Sequence, residues 1–335
     1  MAVKTPKMLG NKKGIFFTIM AIIVVAFLFS SELLITRPAT VEQSETSSAR
    51  TRIAIMDNYL DSFEAYAGTA LRTSGYFVLQ NLSKGIADVG DYVYNMNATL
   101  RVCIITSPIA CLAQGETFQD SLNLLVDLAQ TNMSITTAYI IHDVWITEEQ
   151  PMEVVLWLNF SYNVSDPFAS WAISGKTIRT TIDVTSIQDP AYAYQVAQGE
   201  LQMSRAFNLS QLRKYQFNAE TFGLHYENRT YIIAKDKAPS VIDRYMGNLQ
   251  EQSSCCGIES VVHYDEISPE RWSDPSIANL SYVDYYFFTQ KIFDCEQNKN
   301  MRISNHPDQQ VRLDTESFSN TYNLTADDAI FDCTY

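Results

Sequence analysis

The sequence predicts an α+β protein in three parts: an N-terminal transmembrane helix, a long amphipathic helix packed on an antiparallel β-sheet, and a disulfide-braced C-terminal part. Three observations predict it. Residues 15 to 35 run apolar with Glu32 as their only charge, residues 53 to 77 repeat apolar side chains every three or four positions, and residues 152 to 165 alternate with a period of two. With 335 residues, 46% hydrophobic and 19% charged, the chain has enough apolar material for a sizeable core.

The apolar run is taken first. A helix over its 21 residues spans about 30 Å at a rise of about 1.5 Å per residue, the thickness of a bilayer's hydrocarbon. No later run matches it, so one crossing is predicted. Lys4, Lys7, Lys12 and Lys13 precede it, whereas Arg37, Arg50 and Arg52 follow at longer range, and this bias puts residues 1–14 in the cytoplasm and residues 37–335 outside the cell membrane. A cleaved secretory signal would have a shorter apolar region ending in small residues, and neither feature is found before Pro38. Removing residues 1–36 leaves 20 basic against 37 acidic residues, a net charge of -17. Such a body repels phosphate backbones, which argues against nucleic-acid binding; the acidity suits a soluble exposed surface.

Two further patterns bear on the outward assignment. Nine N-x-S/T triplets, acceptors for N-linked glycans, stand at Asn81, Asn97, Asn132, Asn159, Asn163, Asn208, Asn228, Asn279 and Asn323. With 19 Asn in the chain, chance would supply roughly three. All six cysteines, Cys103, Cys111, Cys255, Cys256, Cys295 and Cys333, also follow the apolar run, and an even number in an exported body reads as three disulfides. Cys103 and Cys111 enclose a short loop with Pro108 and are paired. A bond between the neighbours Cys255 and Cys256 is set aside as strained, which leaves them to pair with Cys295 and Cys333 in an open order. With four histidines and no C-x-x-C, no metal is expected.

From Arg52 to Asn81 the positions Ile53, Met56, Leu60, Phe63, Ala67, Ala70, Ser74 and Phe77 form one apolar stripe of a helix, whose small residues suit packing under a sheet. Pro38 and the Ser/Thr-rich stretch 37–50 are expected to separate that helix from the membrane segment. A second helix is predicted over 117–130, with Leu122, Leu125 and Leu128 on one side. In residues 152–165 the even positions Val154 to Val164 are the apolar face and the odd positions, Asn159 and Asn163 among them, the outer one. Partner strands are read at 134–147 and 176–187, with hairpin connections at Asp166–Pro167 and Ser174–Gly175. Later, 230–235 reads as a strand, 239–246 as a short helix, and 257–264 as a segment tethered by cysteine.

The search for catalytic motifs returns little. "SGKT" at 174–177 lacks the Gly that a phosphate-binding loop needs five residues before Gly175, where Ser170 stands. G-x-S-x-G, H-E-x-x-H, calcium-loop and D-x-D patterns are not found. His225 and His263, each beside carboxylates, read as surface residues rather than ligands, and the tyrosine clusters at 91–97, 191–195 and 281–288 as packing. No catalytic residue, cofactor or metal is assigned.

"NKKGIFF" followed by the apolar run resembles the class III leader of archaeal type IV pilin-like proteins, and "IQDPAYAYQ", "APSVIDRYMG" and "CCGIESVV" are similar to phrases in uncharacterised archaeal exported proteins of this type. The resemblance implies processing at Lys12, Lys13, Gly14 and Ile15, with a prepilin-type peptidase cutting between Gly14 and Ile15. It also implies a pilin-like lollipop, in which residues 15–36 meet membrane lipid or pack with other pilin-like subunits. The domain reading is then a basic leader (1–14), a transmembrane or assembly helix (15–36), a helical stalk (37–100) and an extracellular head (101–335). Ile19 stands where many pilins carry Glu, and the large body suits a minor or tip subunit with a structural or adhesive role. The alternatives are an uncleaved surface receptor or adhesin, and a single-anchor exported enzyme such as a glycosyltransferase.

Overall fold

The computed structural model describes residues 41–106, 111, 117–212, 218–235, 238–250, 255–270, 280–289, 298–303, 306–314 and 317–325. The predicted membrane helix, the leader positions Lys12 to Ile15, Asn279, Cys295 and Cys333 lie outside these residues. Among the described residues no helix is long and apolar enough to cross a membrane. The chain divides into two compact units, Met1–Ile55 and Met56–Tyr335. The architecture is α+β, with an antiparallel sheet and helices, as the periodicities predict.

The long helix α1 spans Val41–Val89. It already covers residues 41–50, so the expected interruption there is not found. Ser and Thr cost a helix only a few tenths of a kcal/mol each, and the Glu and Gln between them are good helix formers. The helix ends before Gly90, whose φ of +76° suits a glycine just past a helix end, so the predicted stalk to residue 100 is not one helix. From Met56 onward the predicted stripe is buried through Leu60, Phe63, Ala67, Ala70 and Ser74. It then drifts: Phe77 is half-buried, and Leu71, Val78, Leu79 and Ile86 take over. A period of 3.6 makes a straight stripe slip round the helix in this way.

A short helix that the sequence reading did not anticipate, α2 (Met96–Ile105), is capped by Asn95, whose side chain accepts from the Ala98 N–H. Helix α3 (Phe118–Met133) matches the second predicted helix, with Thr117 and Asp120 in a reciprocal capping box. Leu122 is buried, while Leu125 and Leu128 are half-buried.

Strands β1 (Thr136–Gln150), β2 (Glu153–Ser165) and β3 (Ser170–Asp183) form an antiparallel sheet with β2 in the centre. All six even positions of β2 from Val154 to Val164 are buried against α1 and its neighbours. Phe63 of α1 stands 5.2 Å from the Tyr162 ring and 6.2 Å from that of Phe160. Tyr59 hydrogen-bonds Thr137 at 2.9 Å, and Glu64 accepts from Tyr162 Oη and pairs with Lys176, each at 2.5 Å. The outer face departs from prediction at Val155, which is only 1% exposed. Asp166–Pro167 turns the β2–β3 hairpin, but Ser174–Gly175 does not turn a second one. Gly175 lies inside β3 opposite a register shift between Phe160 and Tyr162, with φ +66°, as a bulge that bends the strand.

Beyond the sheet, α4 (Pro190–Ala197) and α5 (Ala219–Glu227) precede a two-stranded pairing of β4 (Ile232–Lys235) with β5 (Gly257–Glu259). Helix α6 (Val241–Met246) lies between these strands in the chain and fulfils the predicted short helix. A further sheet, ordered β6-β7-β9-β8, uses β6 (Val261–Val262), β7 (Leu280–Val283), β8 (Asn298–Ile303) and β9 (His306–Asp314), with β7 and β9 parallel. Helix α7 (Asp284–Thr289) follows β7 directly.

Cys103 and Cys111 are joined, as predicted. Cys255 and Cys256 are joined to each other, which corrects their expected pairing with Cys295 and Cys333. Both side chains meet in the turn that leads into β5, and adjacency alone does not prevent the bond.

Gly75 marks a close approach of α1 to the sheet. A Cβ there would run into Leu156 Cδ1 and stand 2.8 Å from Ile182 Cδ1, whereas Gly85 faces open space. In urea unfolding, Gly75→Val is expected to cost about 2 kcal/mol from overpacking. Gly85→Ala is expected to gain up to about 1 kcal/mol from helix propensity.

Candidate functional site

Two places gather polar and aromatic chemistry: a buried charge centre and the outer face of the first sheet. The charge centre is built around Arg244 on α6, which is 0% exposed. Its Nη1 donates to Asp189 Oδ2 at 2.8 Å and its Nη2 to Asp284 Oδ2 at 2.7 Å, and Nη2 also reaches the Ile258 carbonyl at 2.8 Å. Each partner has a second task. Asp189 caps α4 through Ala191 N–H and accepts from Tyr231 Oη at 2.7 Å; Asp284, heading α7, accepts from the backbone N–H and hydroxyl of Ser260. Burial raises the Asp284 pKa, and the Arg244 charge opposes that rise.

A second guanidinium continues the centre. Arg205 donates to Ser260 Oγ at 2.9 Å and to the Val261 carbonyl, pairs with Glu266, and lies over the Tyr192 ring at 4.5 Å. The histidines read as surface residues are buried instead, at 2% for His225 and 7% for His263. His225 Nδ1 shares a hydrogen bond with Thr230 Oγ1 at 2.8 Å, and burial, with Arg205 adding to it, pushes its pKa down to about 3. His263 stacks on Tyr226 at 4.2 Å and pairs with Asp265. No group of three or more His, Cys, Asp or Glu that could hold a metal ion occurs among the described residues. Arg244, Asp189, Asp284, Arg205 and Glu266 are nearly or wholly out of solvent, and the centre joins α4, α6, β5, β6 and α7.

The outer face of the first sheet is different. Trp145, Trp157 and Arg179 stand side by side across β1, β2 and β3. The two indoles are parallel to within 3° at a centroid distance of 5.9 Å, and the Arg179 guanidinium lies 5.8 Å from the Trp157 ring. Trp157 Nε1 donates to Thr147 Oγ1 at 2.9 Å, and Arg179 pairs with Glu149 at 2.7 Å. Farther along the same face, exposed His142 and half-buried Ser161 share a 2.6 Å hydrogen bond, and Gly175 N–H donates to the same Ser161 oxygen. A serine beside a histidine is the start of a nucleophile, but His142 Nδ1 has no orienting partner among the described residues, and the pair stands on an open strand face.

The predicted glycan acceptors separate into groups. Asn97, Asn132, Asn163, Asn208, Asn228 and Asn323 are exposed, while Asn81 and Asn159 are half-buried. The Asn81 amide is already engaged, donating to the Cys111 carbonyl at 3.2 Å, and the hydroxyl of its sequon residue Ser83 is buried against the Gln188 carbonyl. Asn159 and Asn163 lie on the outer sheet face, as predicted, together with the tryptophan pair. The sequence reading missed that pair and the charge centre. Alternation alone puts Trp157 outward, but only the β1–β2 register brings Trp145 beside it.

No family model, curated protein or solved structure matches the chain.

Two outcomes follow. Arg244→Met leaves two buried carboxylates unpaired and is expected to cost about 3–5 kcal/mol in urea unfolding. The second concerns pH. Glu148 accepts from the Ile242 N–H at the start of α6, and burial raises its pKa to about 7 against hydrogen bonds from Ser240 and Ile242, with Asp243 adding to the rise. A carboxyl raised on folding weakens the fold as pH climbs from about 4.5 to 7, whereas His225, lowered on folding, weakens it as pH falls from about 6.5 to 3. Relative to the unsubstituted chain, stability should therefore rise more steeply with pH in Glu148→Gln and less steeply in His225→Gln, both measured by urea unfolding between pH 4.5 and 6.5.

Proposed function

We propose that this chain is a membrane-anchored extracellular glycoprotein of pilin-like build, a surface or filament component with a structural or adhesive role. The observation that carries the reading is the company kept by the apolar run 15–35. All nine sequons and all six cysteines follow it, and of the eight described sequon asparagines six are exposed. An apolar helix followed by a helix that packs on an antiparallel sheet is the order a pilin-like subunit requires, and α1 from Met56 onward packs on β1–β3 in that manner. The Cys103–Cys111 bond fits an oxidising compartment. The acidic body suits exposure to solvent, and residues 15–35 would meet lipid or other pilin-like subunits.

N-terminal sequencing of protein from membranes and from sheared surface material tests the reading. A start at Ile15 in the sheared fraction is expected for an assembled subunit, and a start at Met1 in membranes with none in the sheared fraction would replace the filament component with an uncleaved receptor or adhesin. Intact mass should fall on enzymatic or chemical glycan removal. If it does not, and the cysteines label as free thiols, the outward topology is wrong.

A further inference from the structure

We propose that the bond between Cys255 and Cys256 is a reversible modification site, at which a small thiol is taken up on Cys255 and expelled again by Cys256. The inference goes beyond the surface-glycoprotein reading and does not depend on it. The two described disulfides differ in access and in the loop they close. Cys103 and Cys111 are 0% and 8% exposed, so both ends of their bond are sheltered. Cys255 is exposed and Cys256 is 0% exposed, so the bond between them has one open end. A disulfide opens when a thiolate attacks one of its sulfurs, and access helps decide which. A disulfide also stabilises a fold mainly through the loop it closes, and a loop between adjacent residues is the shortest there is, so this bond contributes little as a brace.

The fold holds this asymmetry in place. Two residues beyond Cys256, Ile258 donates its N–H to the Pro239 carbonyl at 3.1 Å, and its carbonyl accepts from Arg244 at 2.8 Å. The chain just past Cys256 is thus pinned, and Cys256 stays inside when the bond opens. Cys255 Sγ lies on the outer side of the turn, 3.9 Å from the Glu148 carbonyl oxygen at the end of β1. The exchange follows. The thiolate of a small thiol forms a new S–S bond to Cys255 Sγ, the Cys255–Cys256 bond breaks, and Cys256 Sγ leaves with the electron pair and takes up the proton that the incoming thiol gave up. Cys256, still next to the adduct, attacks Cys255 Sγ in turn, restores the original bond and releases the small thiol. When small thiol is in excess, a second molecule attacks the outer sulfur of the adduct; both cysteines are then reduced, and the two small thiols depart oxidised as their own disulfide.

The test uses the oxidised full chain, treated with glutathione, trapped with iodoacetamide at intervals and mapped by peptide mass spectrometry. Glutathione is expected on Cys255 and not on Cys256, and Cys255 and Cys256 should become alkylated before Cys103 and Cys111. Removing glutathione before trapping should return the unsubstituted protein to its original mass. In Cys256→Ser exposed to oxidised glutathione, the gain of one glutathione on Cys255 should persist after that removal, because nothing is left to expel it. In Cys255→Ser, buried Cys256 should gain none while the chain is folded. Alkylation of Cys103 and Cys111 as early as that of Cys255 and Cys256, glutathione on Cys256, or an adduct on the unsubstituted protein that outlasts removal of glutathione overturns the proposal. So does a map in which either neighbour is bonded to Cys295 or Cys333. Each of these outcomes leaves the surface-glycoprotein reading standing.

Discussion

Arg244 cannot reach solvent, and its charge is held only because Asp189 and Asp284 come to it from either side. The partners lie 55 and 40 residues away in the chain, so the contact forms only when α4, α6 and the start of α7 are all in place. Burying such a triad yields little net stability, because desolvation consumes most of the attraction. Its effect is on specificity: any arrangement that leaves one member out strands a charge in an apolar interior. Ser260, Tyr231 and the Ile258 carbonyl complete the same centre, which ties the consecutive strands β5 and β6 to it. The short strands and helices of the C-terminal region are thereby tied to one centre.

The first sheet is organised by the opposite principle. Its inner face is apolar along all of β2, non-directional, and shaped by the small residues Ala67, Ala70 and Gly75 of α1 that let helix and strands approach. Polar contacts add to it, Tyr59 with Thr137 inside the interface and Glu64 with Lys176 at its partly exposed edge. The first sheet is thus held chiefly by apolar area on its inner face, whereas the C-terminal region sets a buried charge centre beside an apolar core that includes Phe222, Tyr226, Val261, Val283 and Leu313.

That contrast explains what could be read from the sequence. Period two over residues 152–165 and period three to four over 53–77 are local signals, and they identified the inner face of β2 and, from Met56 to Ser74, that of α1, whereas Ile53 at the head of the stripe is exposed. The errors came where a single residue broke a local rule. Val155 is buried on a face that alternation marks as outer, Gly175 bends a strand instead of ending it, and the Ser/Thr run at 41–50 continues a helix that it was expected to interrupt. The charge centre was illegible because its members are scattered from Asp189 to Asp284, and nothing near Arg244 in the chain shows that it will be paired. The tryptophan pair required the β1–β2 register, which pattern does not supply.

The two described disulfides close loops of eight residues and one. Neither joins one sheet to another. If the body is held at one end and pulled at the other, these bonds shorten the extensible length by only a few residues, and resistance to stretching falls to hydrogen bonds and packed side chains.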